Sequence, residues 1–392
     1  MCEKPGELSL TLQKYFLLMV LFQTYRPYTD IYFLRSLEIL QKLNLNPFVR
    51  AQVFLRNGPG VIDGIDEAVA FISKNSSLIM NGGTIHSLKD GSNYVSEETI
   101  LLIEGRAQDV IFLETILLGI ISFRTTRKND RHGIDLSDIT KRTKQIVSLV
   151  GDRPVYYFGA RHWHYEEDEA IAKATFLGGA TSASTEKGAH AMGKEPVGSI
   201  PHSLENIVAW KYGAEHAVVE TIKAFDRIMN PEIPRIALVD YRNREVDDSL
   251  SVAKVLGKKL YGIRVDTSGE CLMQGAEESG PESGHYWYGN GVTISGVFHL
   301  RKTLNSNGYS DVRIMLSSGF GNPDKVKAFV EAETKLGLRL FDGLGVGNLY
   351  NSRIATMDIV GVGDSLNALV PIAKTGRAYH KNLKLLPLVK KL

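Results

Sequence analysis

The stretch VYYFGARHWH, residues 155–164, sets an aromatic face at Phe158, a guanidinium at Arg161 and imidazoles at His162 and His164 close together. Three chemistries fit these residue types. Imidazoles two apart share a face of an extended chain and could ligate a metal, although no third ligand is apparent nearby. An aromatic ring beside an arginine could hold a flat anion. Alternatively, the valine and tyrosines form a strand that simply runs, past Gly159, into a polar helix start.

The elements around this stretch favour a shared site. From about residue 140, short apolar runs read as strands at 155–159, 179–184, 195–203, 235–240, 259–266, 312–319 and 339–347. Helical patterns such as 203–225 lie between them, so parallel strands are predicted, in a closed barrel or an open doubly wound sheet. No G-x-G-x-x-G or G-x-x-x-x-G-K-[ST] opens any unit, which disfavours a Rossmann or P-loop site. The strands end in polar or glycine residues: Arg161 and His164, Thr181 and Ser182, His202, Asp240, Arg264 and Asp266, Ser317–Gly319, then Gly345 and Gly347. In parallel barrels those ends converge on one face. LSSG and GVG can offer backbone N–H groups to phosphate, while Arg161, Arg264, Lys374 and Arg377 can hold further negative charge. Asp266 suits sugar hydroxyls and Phe158 a ring, so a phosphorylated sugar with an aromatic partner fits these parts.

The first third of the chain reads differently. A helix is predicted over 30–45 with Thr29 or Asp30 as its cap, a strand over 48–56, a helix over 62–75, a strand over 98–109 and a buried helix over 112–123. Residues 124–138, polar and glycine-broken, read as a surface loop. The apolar run at 15–22 is too short to span a membrane and no small-residue cleavage site follows, so residues 1–23 are expected to be an extension, with Met19 an alternative start. The 392 residues suggest about two domains. A net charge of +2 gives no electrostatic case for nucleic acid or an acidic membrane. Two cysteines, Cys2 and Cys271, exclude a disulfide framework or cysteine-based zinc ribbon and suit a reducing cytosol; the expected location is cytoplasmic.

The motifs TDIYF (29–33), EGRAQDVIFLETILLGI (104–120), FGARHWH (158–164), FLGGATSAS (176–184), PVGSIPHSL (196–204), ALVD (237–240), IRVDTSG (263–269), IMLSSG (314–319) and FDGLGVG (341–347) come in an order that resembles the nicotinate phosphoribosyltransferases. Their wider relatives are the type II phosphoribosyltransferases acting on nicotinamide and quinolinate. The resemblance runs from about residue 26 to 380. It implies an α/β fold: an irregular (β/α) barrel over 113–352, an N-terminal α/β sandwich domain over 1–112, and a C-terminal segment, 353–392, returning to that domain. It also implies condensation of nicotinate with 5-phosphoribosyl-1-pyrophosphate, giving nicotinate mononucleotide and pyrophosphate, a step towards NAD. Mg²⁺ would accompany pyrophosphate, ATP would be a cosubstrate, and the enzyme would be a homodimer with shared active sites.

Carried over residue by residue, the resemblance makes Phe158 the ring that stacks on the pyridine and Tyr32 the one closing its other face from the partner subunit. Arg264 would pair with the nicotinate carboxylate, Asp266 with ribose hydroxyls and Arg161 with pyrophosphate. Ser317, Ser318, Gly319, Gly345 and Gly347 would cradle the 5-phosphate. His202 matches the histidine phosphorylated by ATP, with Asp240 as its orienting carboxylate. Thr181 stands where relatives often carry aspartate near the pyridine substituent, which leaves nicotinate against nicotinamide open. The threonine–lysine that relatives place after the 112–123 helix is displaced here, 138–146 being its candidate counterpart. A cysteine-rich metal knuckle is lacking, so no structural zinc is expected. Nicotinamide or quinolinate as acceptor, and a non-catalytic paralogue that binds the same ligands, are the competing readings. A quinolinate enzyme would want a denser basic pocket and would not use a phosphohistidine.

Overall fold

In the computed structural model the structure describes residues 23–282 and 284–388; the predicted extension at 1–23 therefore lies almost wholly outside the described residues. Helix α1 (Ile31–Lys42) buries Phe33, Ile39 and Leu40, the apolar face its spacing predicts. Strand β1 (Phe48–Leu55), β2 (Thr84–Ser87) and β3 (Thr99–Arg106) follow, with helix α2 (Ile65–Asn75) between the first two. The strand predicted to reach residue 109 stops at Arg106, where Ala107–Val110 turn helical.

Helix α3 (Glu114–Asp130) overturns the predicted 124–138 loop. Arginine, lysine and threonine are tolerated in helices, and here several of the polar groups have partners. Thr125 and Thr126 are buried and donate to backbone carbonyls of Asp63 and Ser122, while Arg353 clamps Asp130 at 2.9 Å. The chain breaks only at 131–135, where Arg131 takes a left-handed conformation (φ 56°) and Asp135 caps α4 (Leu136–Val150).

Six short parallel strands then alternate with helices: β4 (Val155–Tyr157), β5 (Ser182–Ala183), β6 (Arg235–Leu238), β7 (Leu260–Val265), β8 (Arg313–Leu316) and β9 (Gly343–Val346). Their order in the sheet is β5-β4-β9-β8-β7-β6, a parallel half-barrel, as the alternation predicts. The segment 195–203 is not a strand. Residues 195–201 run irregularly and His202 opens helix α5 (His202–Tyr212), so the gap between β5 and β6 is spanned by coil and helix. Gly213 (φ 91°) ends that helix, and α6 (Ala217–Ile228) is separate, which divides the predicted 203–225 helix in two.

The chain end returns to the first sheet. Strand β10 (Ala355–Gly363) pairs antiparallel with β1, and β11 (Val370–Pro371) and β12 (Leu386–Pro387) complete a sheet ordered β11-β10-β1-β3-β2-β12. β1 and β3 are buried almost throughout, hence their near-continuous apolar sequences. Among the described residues no helix is long and apolar enough to cross a membrane.

Candidate active site

A cavity of about 1040 Å³ opens at the carboxyl ends of the parallel strands and is walled on one side by α1 and β10. Phe158 emerges directly beyond β4, its N–H donating to Val346 O at 2.7 Å. Its ring lies against Gly345: a Cβ there would come within 2.6 Å of Phe158 Cδ2. Gly347 is held the same way beneath His162, whose Cε1 would be 2.7 Å from an added Cβ. Both glycines are therefore fixed by the close approach of a ring, and both line the cavity.

The loop after β8 is equally local in origin. Beyond β8, Ser318 (φ 69°) and Gly319 (φ 87°) are left-handed, and both line the cavity with Ser317. Ser317 donates to Asp266 Oδ1 at 2.8 Å, and Arg264 bonds Asp266 Oδ2 at 2.9 Å and Ser317 Oγ at 3.1 Å. Arg264 also donates to Ile200 O at 3.2 Å, which ties β7 to the irregular segment closing the gap in the sheet. Burial raises the Asp266 carboxyl and Asp240 adds to that, but Arg264, Lys374 and His202 together hold the group below its ordinary range. Arg264 on β7 and Asp266 just beyond it thus form an ion pair at the cavity wall while both still line the cavity.

His202 and Asp240 also meet. His202 Nε2 lies 3.1 Å from Asp240 Oδ2, and Lys374, from the returning C-terminal segment, donates to the same oxygen and to Asp266 O. Desolvation disfavours charge on both His202 and Asp240. At His202, Lys374 adds to desolvation and the ring's affinity for a proton falls. At Asp240, Lys374 and His202 overcome burial and the carboxylate stays ionised. With Asp240 accepting from Nε2–H, Nδ1 is left as the ring's basic nitrogen; His202 is a quarter exposed, to the cavity.

Arg161 lies on the opposite side, bonded to Glu114 Oε1 at 3.1 Å and to the Tyr32 hydroxyl at 3.4 Å. Tyr32 lines the cavity of its own chain, donates to Asp30 Oδ2 at 2.7 Å and packs edge-on against Phe33 at 4.6 Å. The two histidines of the opening motif diverge. His162 accepts from Asn348 N at 3.2 Å and burial lowers it to about 3, whereas His164 pairs with Glu67 at 3.0 Å. No group of three or more His, Cys, Asp or Glu side chains among the described residues is placed to hold a metal ion.

Thr181 is not at the site. The register pairs Tyr156 with Ser182, so Thr181 stands beside Val155 at the amino end of the sheet, exposed, with its hydroxyl accepting from Val155 N at 3.1 Å. Three cavity or near-cavity groups had no signal in the opening motifs. Glu114 lies at the head of an apolar helix and burial pushes its carboxyl up to about 8, Arg161 only partly opposing this. Asp358, the charged residue in the apolar β10 run, pairs with Arg377 at 3.2 Å. Glu205, one turn after His202, is fully buried with neither carboxyl oxygen hydrogen-bonded, and burial raises it well above the ordinary range, so it keeps its proton.

Comparison with known proteins gives this geometry a context. The family model of the quinolinate phosphoribosyl transferase N-terminal domain matches residues 30–124. Nicotinate phosphoribosyltransferase of Bacillus subtilis is 23% identical over 237 residues, 59% of this chain and 40% of the relative's length, so the match spans well under half of that protein. The fold is similar to the solved nicotinate phosphoribosyltransferase of Porphyromonas gingivalis, with a TM-score of 0.62 at 15% identity over 90% of this chain and 95% of the other. It is also similar to that of Vibrio cholerae, with a TM-score of 0.60 at 14% identity over 89% and 87%.

Proposed function

Taking the chain as a relative of the nicotinate phosphoribosyltransferases in fold and in part of its sequence, we propose that it transfers the phosphoribosyl group of 5-phosphoribosyl-1-pyrophosphate to nicotinate. The pyridine nitrogen forms a bond to the ribose C1 as the C1–oxygen bond to pyrophosphate breaks, giving nicotinate mononucleotide. The observation that carries this reading is the seating of the Phe158 ring on Gly345 beside the left-handed Ser318–Gly319 loop, with Arg161 and Arg264 on the same cavity. That is a flat apolar face next to a backbone anion cradle, with two guanidiniums to divide a carboxylate and a pyrophosphate between them.

In this reading Phe158 stacks on the pyridine, Arg264 takes the acceptor carboxylate, Asp266 the ribose hydroxyls and Arg161 the departing pyrophosphate. Tyr32 acts through Arg161, which its hydroxyl helps to hold, and not as a second ring face. Mg²⁺ comes with the pyrophosphate as substrate counter-ion, since Mg²⁺ is commonly held by one or two carboxylates plus substrate phosphates. ATP coupling is the finer part of the proposal. His202, which lines the cavity with Nε2 tied to Asp240, keeps Nδ1 as the nitrogen that would attack the γ-phosphorus of ATP, ADP leaving. A homodimer belongs to the same reading.

The test is product analysis by mass spectrometry with phosphoribosyl pyrophosphate and Mg²⁺, offering nicotinate, nicotinamide and quinolinate separately, with and without ATP. Nicotinate mononucleotide should dominate, and γ-labelled ATP should label wild-type protein but not His202→Ala. No mononucleotide from any acceptor would leave a ligand-binding paralogue as the better reading.

A further inference from the structure

Behind the Ser317–Gly319 loop lies a buried cation that the site described above does not use. Lys325 stands in the first turn of helix α7 (Pro323–Leu336) and is 8% exposed. Its Nζ donates to Ser318 O at 3.0 Å and lies 4.7 Å over the Phe320 ring and 5.8 Å over that of Tyr286. A Cβ on Gly319 would stand 3.6 Å from Nζ, so only the thickness of the loop separates the ammonium from the cavity that Gly319 lines. Among the described residues Lys325 has no ion-pair partner. Asp266, already bonded to Arg264 and Ser317, is the anion that acts on it through space.

A buried ammonium with no counter-ion is costly, and burial pushes Lys325 down to about 8. Its surroundings do not explain why it is there: the aromatic rings stabilise a cation only weakly, and Ser318 O is a neutral acceptor. What is missing is a negative charge on the far side of the loop. We propose that Lys325 is the counter-ion of a phosphate group bound at the Ser317–Gly319 loop, a positioning residue that holds the Ser318 carbonyl back and adds positive potential beneath the loop. This rests on reading that loop as the 5-phosphate cradle, and it adds a residue that does not itself line the cavity.

Ribose 5-phosphate is the probe, with binding to the full chain followed by calorimetry and nicotinate as the control. Lys325→Met, which keeps the aliphatic stem, should weaken ribose 5-phosphate about tenfold, the equivalent of roughly 1.4 kcal/mol. It should leave nicotinate affinity unchanged, and Lys325→Arg should recover most of the loss. Wild-type protein alone supplies a second readout that needs no folded variant. The phosphate is already dianionic above pH 7, so its affinity should fall between pH 7 and 9 as the ammonium loses its proton. Asp266, Arg264 and the Tyr286 phenol face the same loop and are retained in Lys325→Met, so comparison with that variant isolates the ammonium. Equal ribose 5-phosphate affinity in Lys325→Met and wild type, with a flat wild-type profile from pH 7 to 9, overturns the proposal. Failure of wild-type protein to bind ribose 5-phosphate at any pH would instead remove the phosphate reading of the loop, and this inference with it.

Discussion

Asp240 and Glu114 are both buried beside one cavity, yet they hold opposite charge states. Asp240 is met at one carboxylate oxygen by Lys374 and His202, which together offset its desolvation. Glu114 has Arg161, but burial dominates, Asp358 and Asp30 repel it, and Arg161 is shared with the Tyr32 hydroxyl; its proton is held up to about pH 8. Glu205, with no hydrogen bond at all, marks the extreme. The comparison shows that burial alone does not decide whether a carboxylate here is a base or a proton holder. The local count of cations does.

The sharpest way to break that comparison is Asp240→Asn. It leaves Lys374 buried without its carboxylate and His202 without a charged partner, so stability should drop by about 3–5 kcal/mol in denaturant titrations. His202 labelling by ATP should vanish with it. A variant as stable as wild type would mean that Asp240 is not what compensates Lys374.

Arg264→Gln probes a side of the cavity where cation and carboxylate are matched one to one. Under the proposed function it should cost about 2–4 kcal/mol in transition-state binding of nicotinate, and clearly less with nicotinamide. Because the change also strips Asp266 of its partner, the ratio of the two acceptors is the measurement that matters. Equal losses would take Arg264 away from the acceptor carboxylate.

Glu114→Gln tests the other pole through pH. The folded carboxyl, raised to about 8, stays protonated where the unfolded one, near 4.5, has ionised. Its contribution is complete below the unfolded value and is lost as pH rises through the folded value. Between about pH 4.5 and 8 the native state binds the extra proton, and this group should steepen the decline in stability by up to about 1.4 kcal/mol per pH unit. Asp168 and Asp358, also raised by burial, push the wild-type profile the same way. The readout is therefore the difference between Glu114→Gln and wild type in thermal unfolding from pH 5 to 8.5. Parallel profiles would place Glu114 among ordinary ionised carboxylates.

What could be read in the sequence follows the same physics. Phe158, Ser317–Gly319, Gly345 and Gly347 were legible because glycine and polar residues stop apolar runs at one end of each parallel strand, and the fold brings those ends together. His202 is legible even though 195–203 reads as a strand, because the residue reaches the cavity from a helix start all the same. The 124–138 segment reads as a loop because its charges pattern like a solvated one, while the groups that hold it as a helix, Asp63 O on Thr125 and Arg353 on Asp130, are distant in sequence. Glu114, Glu205 and Lys325 were invisible for a related reason. Each is a charged residue type in a buried place, which becomes notable only once its neighbours are known.

The smallest expected effect is at Thr181, and it tests the register of the half-barrel more than its chemistry. The family pattern puts this position near the pyridine substituent, so Thr181→Asp ought, on that pattern, to shift acceptor choice between nicotinate and nicotinamide. The geometry says otherwise. β5 has only two residues, Tyr156 pairs with Ser182, and Thr181 lies at the amino end of the sheet against Val155, exposed and away from the cavity. Its one side-chain bond, from Val155 N at 3.1 Å, is of a kind that an aspartate oxygen can replace. Stability should therefore change by no more than about 0.5 kcal/mol, as for other surface substitutions, and the ratio of kcat/KM for the two acceptors should stay within roughly twofold. A change of tenfold or more in that ratio would mean that β5 is shifted along β4, carrying Thr181 towards the Phe158 ring.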